Sequence, residues 1–362
     1  MGNACCPAGG GQEKSSNKVA EASIDAQLKL SEMEAKLKFK ILLLVLKHIK
    51  TINKIAMSKS EIADIVASLR RNSIQCMKIL IEEAEKFGFN IGEADKAKSD
   101  ALAAMEEDGE SDQIDTVADA ISVLWKNDAI QKTWEKKDEF WILDSADFYF
   151  SNIERFCQDD FEPTEEDSVM ARTMTTGIIT TEIKIAPLTF SLIDVGGQRN
   201  ERRKWIHTMD DCNMILYIVN LSGYNSVLFE DQTQNRMKEC LTLFKQTVNN
   251  PLFSSMPIFL LFNKKDLFES KIRKTPITVC ECFSDYSGSG ELMDCIAFIE
   301  KRFKEQILSG SPDRLKVFNI AARFKKDVKV VWDELIVYLK TNNKSTIDSA
   351  LKYMEQKGII QK

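Results

Sequence analysis

The sequence lacks an apolar run long enough to cross a membrane. Its longest apolar segment, residues 41–46, has the length of a β-strand, whereas a membrane-spanning helix needs roughly 18–20 such residues. The first twenty residues also lack the apolar core of a secretory leader. We therefore expect a protein that neither spans a membrane nor enters the secretory pathway.

The sequence also lacks an excess of basic residues and a cysteine pattern typical of disulfides. The net charge of −6 argues against a nucleic-acid-binding protein, which would usually present a basic face. The nine cysteines are scattered and odd in number, so we expect reduced thiols and a cytosolic protein. Cys280 and Cys282 have the wrong spacing for the usual zinc knuckle, and no pair of histidines accompanies them.

The amino-terminal residues predict lipid attachment. Gly2 stands where N-myristoylation occurs, and Cys5 and Cys6 stand where palmitoyl groups are often added, although the myristoylation motif has Ser or Thr at position 6. Since one acyl chain anchors weakly and two anchor stably, these groups would hold the chain on the cytoplasmic face of the plasma membrane. The alternative is a disordered polar leader without lipid.

The remaining sequence alternates between strand and helix patterns. An amphipathic helix is predicted at about residues 18–38, and residues 60–165 have helical periodicity with almost no strand signal. The predicted strands are residues 39–44, 180–186, 188–194, 214–219, 258–262 and 317–320. Helical stretches separate the later strands. The pattern predicts an α/β fold with a mainly parallel, doubly wound sheet and an inserted all-helical block.

One polar group directly follows a predicted strand, where open α/β sheets bind their ligands. It consists of Asp194, Gly196, Gly197 and Gln198. The acid can hold Mg²⁺ through water, a glycine lets a backbone N–H approach a phosphate, and the glutamine can orient an attacking water molecule. Taken alone, these residues also fit a strand that ends in an acidic turn.

A second group, Asn263-Lys264-Lys265-Asp266, follows another buried strand. A carboxylate here can accept hydrogen bonds from the N1–H and N2–H groups of guanine, a donor pair that adenine lacks. Asn263 would brace such a pocket and Lys264 would cover the ring. The alternative is an ordinary charged turn.

A third group, residues 172–177, precedes the alternating strands. Arg172 can offset charge that develops on a transferring phosphoryl group, and the hydroxyl of a threonine can ligate Mg²⁺. The alternative is a threonine-rich linker that leaves the helical block.

These three groups, in this order and on this topology, resemble the alpha subunit of a heterotrimeric G protein. The most specific stretch, residues 194–207, ends in Lys-Trp-Ile-His. Small Ras-like and ADP-ribosylation-factor-like GTPases lack that ending, and they lack a helical insertion. Further matches lie at residues 72–75, 235–237 and 261–268. The resemblance covers about residues 18–343.

The resemblance implies a Ras-like domain built from residues 39–59 and 167–362, an all-helical insertion at residues 60–166, and an amino-terminal leader and helix at residues 1–38. It implies a switch that binds GDP and GTP and hydrolyses GTP with Mg²⁺. The implied partners are a beta-gamma dimer, a G protein-coupled receptor and an effector of unknown identity, with no nucleic acid.

The resemblance also implies a role for individual residues. Arg172 and Gln198 would be catalytic, and Thr175 and Asp194 would serve Mg²⁺, the latter from the second sphere. Gly197 would sense the γ-phosphate. Asn263, Lys264, Asp266 and the backbone N–H of Ala321 would bind guanine, and Lys204 and Trp205 would contact beta-gamma.

The chain departs from the family at the phosphate-binding loop. The family has Gly-Ala-Gly-Glu-Ser-Gly-Lys-Ser-Thr between the first strand and its helix, and here nine residues are missing between Leu44 and Val45. That loop supplies backbone N–H groups, a lysine and a hydroxyl. Losing about five contacts of roughly 1.5–3 kcal/mol each would weaken binding by on the order of 10 kcal/mol, or roughly seven decades.

Two further departures lie toward the carboxyl end. Where the family has Thr-Cys-Ala-Thr over the base, this chain has Asn319-Ile320-Ala321-Ala322. The chain also continues past Asn343 to Lys362, beyond the end of the family's receptor-binding tail. Two interpretations therefore stay open: a GTPase switch whose loop was lost from an incomplete gene product, and a scaffold that no longer binds nucleotide.

Overall fold

The computed structural model describes residues 27–43, 57–105, 114–172, 177–197, 199, 202, 205 and 212–360. The sheet has six strands in the order β2-β3-β1-β4-β5-β6, and only the β2–β3 pair is antiparallel. The strands are β1 (Lys38–Leu43), β2 (Ile178–Ile185), β3 (Leu188–Val195), β4 (Met214–Asn220), β5 (Ile258–Asn263) and β6 (Leu315–Asn319). The expectation of a mainly parallel sheet is confirmed, and each strand end lies within two residues of its predicted position.

In the part of the chain that the structure describes, α-helices lie in the insertion and after β4, β5 and β6. A first helix, α1, is described over residues 27–36. The insertion contains α2 (Lys59–Lys86), α3 (Glu93–Ala104), α4 (Ile114–Trp125), α5 (Asp128–Glu135), α6 (Ala146–Ser151), α7 (Ile153–Phe156) and α8 (Glu165–Met170). The later helices are α9 (Arg236–Val248), α10 (Lys265–Ile272), α11 (Leu292–Lys304), α12 (Lys325–Asn342) and α13 (Lys344–Gln356). No described helix is long and apolar enough to cross a membrane.

The two faces of the sheet bury separate apolar cores, as a doubly wound sheet requires. On one face, α9, α10 and α11 pack against β4 and β5, and Phe244, Phe262 and Phe303 are fully buried there. On the other face, α1, α12 and α13 cover β1 and β3 around Phe190 and Trp332, whose rings lie 5.3 Å apart. The sheet is therefore covered on both sides.

The carboxyl-terminal extension forms a helix of its own. After α12 ends, α13 buries Ile347, Ala350 and Met354 in the core that also holds Met33 and Leu37, at the end of α1 and just after it. The extension therefore packs against the face of the sheet that α1 and α12 also cover. Its length is evident from the sequence, whereas its packing is visible only in the structure.

The helical insertion has an independent core and a buried ion pair. Arg155 donates to both oxygens of the Asp167 carboxylate at 2.7 and 2.6 Å, and the backbone N–H of Thr164 donates to the same group at 2.8 Å. The Asp167 side chain is fully buried, whereas that of Arg155 is 36% exposed. Burial alone would raise the pKa of Asp167, but the hydrogen bonds from Arg155 and Thr164 lower it below its usual value. This pair joins α8 to the rest of the insertion.

Replacing Asp167 by alanine is expected to lower the free energy of unfolding of the insertion by about 3 kcal/mol. The variant loses charge-assisted hydrogen bonds and the side chain that completes the capping box of α8. Urea denaturation, followed by tryptophan fluorescence, measures the change.

Asp119→Ala is the matched control for this variant. Asp119 is 65% exposed and pairs with Lys98 on the surface, so its loss should change stability by less than about 0.5 kcal/mol. Because the folded pKa of Asp167 lies below its unfolded value of about 3.9, its contribution is present above that pH and is lost as the pH falls further. Equal stability of Asp167→Ala and the parent at neutral pH would contradict the assignment.

Candidate functional site

The predicted site residues lie along one edge of the sheet, at the carboxyl ends of the parallel strands. Asp194 near the end of β3 is paired with Leu43 at the end of β1, and Asn220 at the end of β4 is paired with Asn263 at the end of β5. β3 and β5 are three strand spacings apart, or about 14 Å, since neighbouring strands lie roughly 4.8 Å apart. The edge is therefore long enough for an extended ligand, and the end of β1 lies near its centre.

The β3 end presents backbone next to open space. A Cβ added to Gly197 would meet nothing within 4 Å. The carbonyl oxygens of Gly196 and Gly197 accept hydrogen bonds from Trp205 Nε1 at 2.8 Å and from Arg202 Nε at 3.2 Å. Trp205 is half-buried and packs against the α9 side of the sheet. On the side where a Cβ would lie, a ligand can approach the Gly197 backbone without meeting the described residues.

Several predicted site residues fall outside the described part of the chain. These are Gly2, Cys5, Cys6, Thr175, Gln198 and Lys204, together with the junction between Leu44 and Val45. Their proposed roles stay predictions.

The β5 end forms a braced turn. Asn263 Oδ1 accepts hydrogen bonds from the backbone N–H groups of Lys264 at 2.7 Å and Ala322 at 2.8 Å. Lys264 has the left-handed conformation, with φ of 59°, which is rare for residues other than glycine. Asn263 thus ties the β5 turn to the loop after β6, so the groups expected around a base lie on two connected segments.

The two groups expected to read a base both have partners within the protein. Asp266 Oδ2 is buried and accepts no hydrogen bond, although Arg323 Nε lies 2.8 Å from it as an ion pair. The backbone N–H of Ala321 donates to Asp327 Oδ2 at 2.8 Å. A base that used this N–H would have to replace Asp327 as its acceptor.

The helical insertion closes over the β5 end through Asp144. Lys264 Nζ forms a short ion pair with Asp144, and Asn220 Nδ2 donates to the same carboxylate oxygen at 3.3 Å. Burial alone would raise the pKa of Asp144, but the positive charges of Lys264 and Arg236 hold it well below its usual range. A second contact across the same boundary joins Trp141 to Phe229, with ring centroids 4.4 Å apart.

Arg172 lies near Asp144, Lys264 and Arg236, where the helical insertion meets the sheet edge. We call this region the cleft. Asn72 Nδ2 donates to its carbonyl oxygen at 3.0 Å, and its guanidinium lies 5.6 Å from the centre of the Trp141 ring. Neither Arg172 nor Arg236 forms an ion pair with any of the described residues. The cleft therefore combines one strongly paired carboxylate with several positive charges, which suits a polyanionic ligand.

Sequence analysis missed four of the residues that shape this site: Asp144, Arg236, Arg323 and Asp327. Arg236 lies in a motif that carried the resemblance, but no role followed from it. Asp144, Arg323 and Asp327 are single charged residues in helical or loop sequence, and no local pattern distinguishes them from surface charges.

The described residues could bind Mg²⁺ only together with the phosphates of a ligand. Asp194 offers a half-buried carboxylate at the strand end, and Mg²⁺ is usually held by one or two carboxylates together with substrate phosphates and water. No group of three or more His, Cys, Asp or Glu side chains in the described ranges could hold a metal by itself.

Comparison with known proteins identifies similar chains. The family model described as "G-protein alpha subunit" matches residues 18–337. The chain is 40% identical, over 344 residues, to the guanine nucleotide-binding protein alpha-8 subunit of Dictyostelium discoideum, an alignment that covers 92% of this chain and 85% of that protein. It is 35% identical, over 292 residues, to the guanine nucleotide-binding protein alpha-1 subunit of Mycosarcoma maydis, with coverages of 78% and 82%.

Proposed function

Because the chain belongs to the G-protein alpha subunit family, we propose that it binds a guanine nucleotide along the carboxyl edge of its sheet and acts as a GTPase switch. The observation that carries this proposal is the position of Asp266. Its buried Oδ2 accepts no hydrogen bond and is paired only by charge, with Arg323, at the strand end where the base of a nucleotide would lie. An acceptor without a hydrogen bond suits the N1–H and N2–H donors of guanine.

The base pocket would combine three segments. Asp266 would accept from the guanine edge, Lys264 would lie along the ring, and the backbone N–H of Ala321 would donate to the base oxygen. Asn263 supports the proposal because it already connects the β5 turn with the β6 loop. The phosphates would extend from this pocket toward Gly197.

Hydrolysis would depend on residues at the other end of the cleft. Arg172 would offset charge on the transferring phosphoryl group, and Gln198 would orient the attacking water. Bound Mg²⁺, next to Thr175 and Asp194, would neutralise phosphate charge. The support for Arg172 is that its guanidinium has no ion pair with the described residues and lies near Asp144 and Arg236.

The partners and location proposed here follow from the family. A beta-gamma dimer would contact α1 together with Lys204 and Trp205, and a receptor would act on the carboxyl-terminal side. Leu28 supports this surface on α1, since it is a large apolar side chain that is 64% exposed. Acyl groups on Gly2, Cys5 and Cys6 would hold the chain on the cytoplasmic face of the plasma membrane.

A second function, that of a scaffold without nucleotide, is favoured by the missing phosphate loop. The nine residues would follow β1, which lies between the β3 and β5 ends of the site, so their loss removes the centre of the cradle. Binding of the beta-gamma dimer that is unchanged by GDP and GTP would support a scaffold. Nucleotide-dependent release of beta-gamma would support the switch.

Binding of GDP to the full chain tests the proposal directly. Ligand-observed NMR at millimolar nucleotide with Mg²⁺ should detect weak binding that favours GDP over ADP. Asp266→Ala is expected to remove this preference, because the guanine edge then loses hydrogen bonds to a charged acceptor, worth about tenfold or more in affinity.

Glu269→Ala is the control for Asp266→Ala. It removes a carboxylate from the same helix, α10, where Glu269 pairs with the exposed Arg273. This control should keep the preference for GDP. Equal binding of GDP and ADP to the parent chain would reject a guanine site.

A further inference from the structure

Two charged residues near the proposed base pocket contact the groups that would bind guanine. Asp327 accepts the backbone N–H of Ala321 at 2.8 Å, and Arg323 Nε lies 2.8 Å from Asp266 Oδ2. Both residues lie between the end of β6 and the first turn of α12. One short segment therefore supplies internal partners for both base-reading groups.

The position of Asp327 favours its hydrogen bond with the Ala321 N–H. Asp327 lies in the first turn of α12, where the helix dipole favours a carboxylate. From there its side chain reaches back to the strand-end loop, whose next N–H, that of Ala322, is held by Asn263. Both adjacent N–H groups of the loop are thus satisfied by side chains, which stabilises the loop without a ligand.

The contact of Arg323 differs in character. Its guanidinium pairs with Asp266 by charge alone, because Asp266 Oδ2 accepts no hydrogen bond. The Arg323 side chain is 45% exposed and its guanidinium also lies 4.7 Å from the centre of the Phe324 ring. An ion pair with one exposed partner and no hydrogen bond is weak, so Arg323 should yield to a ligand more readily than Asp327.

We propose that Arg323 and Asp327 act as internal substitutes for the guanine base, and so set a low affinity for guanine nucleotides. This inference rests on the proposed function, since it takes Asp266 and Ala321 as the base-reading groups. Asp327 offers an anionic oxygen where the base would offer its carbonyl oxygen. Arg323 offers only its positive charge where the base would offer N1–H and N2–H.

The two internal contacts compete with nucleotide. Nucleotide must displace both partners before the base can bind, so its observed affinity is reduced by the strength of those contacts. Without nucleotide, the loop after β6 keeps its hydrogen bonds and its conformation.

The test measures GDP binding to the full chain and to Asp327→Ala and Arg323→Ala. Removing the Asp327 contact is expected to tighten GDP binding about tenfold, and removing the Arg323 contact about threefold. Binding of ADP should not change, since adenine lacks the groups that the released residues would recognise. Ligand-observed NMR titration with Mg²⁺ provides both affinities.

Matched controls separate these effects from changes in charge or helix stability. Asp333→Ala removes an aspartate from the same helix, where it pairs with Lys329 on the exposed face. Arg273→Ala removes an arginine whose side chain is 74% exposed and which pairs with Glu269. Neither control should change GDP affinity by more than about twofold.

Amide hydrogen exchange tests the internal contact without any ligand. The Ala321 N–H should be protected in the parent chain and should exchange faster in Asp327→Ala, whereas Asp333→Ala should leave it protected. Tighter, guanine-selective binding together with this change supports the proposal.

Two outcomes would overturn the proposal, and they differ in what else they reject. GDP binding that requires Asp266 but is unchanged in both variants overturns this inference and leaves the proposed function intact. Absence of GDP binding in the parent and in both variants rejects the inference and the guanine site together.

Discussion

Insertion of Gly-Ala-Gly-Glu-Ser-Gly-Lys-Ser-Thr between Leu44 and Val45 is expected to raise the affinity of the chain for GDP by at least about a thousandfold. The loop would add backbone N–H groups, a lysine and a hydroxyl at the end of β1. Contacts of roughly 1.5–3 kcal/mol each give several decades of affinity even if only part of the cradle forms. Titration with a fluorescent guanine nucleotide measures the gain.

The control for this insertion has the same length but carries alanine in place of its lysine and the following serine. It restores the chain connection and the backbone donors, and should recover only part of the affinity. The full insertion should also make beta-gamma release depend on GTP. An inserted chain that is folded, by circular dichroism, and still binds GDP no better than the parent would show that this edge does not hold phosphates.

Arg172→Ala, made in the chain with the inserted loop, is expected to slow GTP hydrolysis at saturating nucleotide by about a thousandfold or more. An arginine that stabilises charge in the transition state contributes about 10³–10⁵ in rate. Affinity for GDP should change little, because the γ-phosphate is absent from that ligand. Single-turnover phosphate release measures the rate.

Arg273→Ala serves as the control for Arg172→Ala. Arg273 directly follows α10 and pairs with the exposed Glu269, so hydrolysis should keep its parent rate. A parent rate in Arg172→Ala would remove Arg172 from the chemistry. It would then leave Arg236, the other cleft arginine without an ion pair among the described residues, as the next candidate.

The position of the missing loop makes its loss more severe than its length suggests. The loop would begin where β1 ends, and β1 lies between β3 and β4 near the middle of the sheet. Binding groups at that point would contact the centre of a nucleotide, whereas Gly197 and Asp266 lie toward its two ends. A site that contacts a nucleotide at its two ends but not at its central phosphates should bind it weakly, although it can still select the base.

The architecture could largely be read from the sequence, because it follows local physical rules. Buried strands appear as short apolar or alternating runs, and the insertion appears as a long stretch with helical periodicity. The strand-end residues Asp194, Asn263 and Asp266 could also be grouped in advance, since parallel strands bring their carboxyl ends to one edge. The structure confirms the sheet and the inserted helical block.

What the sequence by itself determined is thus the order of the elements and the absence of the family's loop sequence between Leu44 and Val45, and it predicted the edge at which a ligand would bind. Only the tertiary structure decided the partners of the charged residues. Asp144 meets Lys264, which lies 120 residues away, and Asp327 meets the Ala321 N–H that the base would need. The packing of α13 against α1 likewise depends on the fold. The physical reason is that periodicity records which face of an element is buried, whereas the pairing of single charges depends on where distant segments meet.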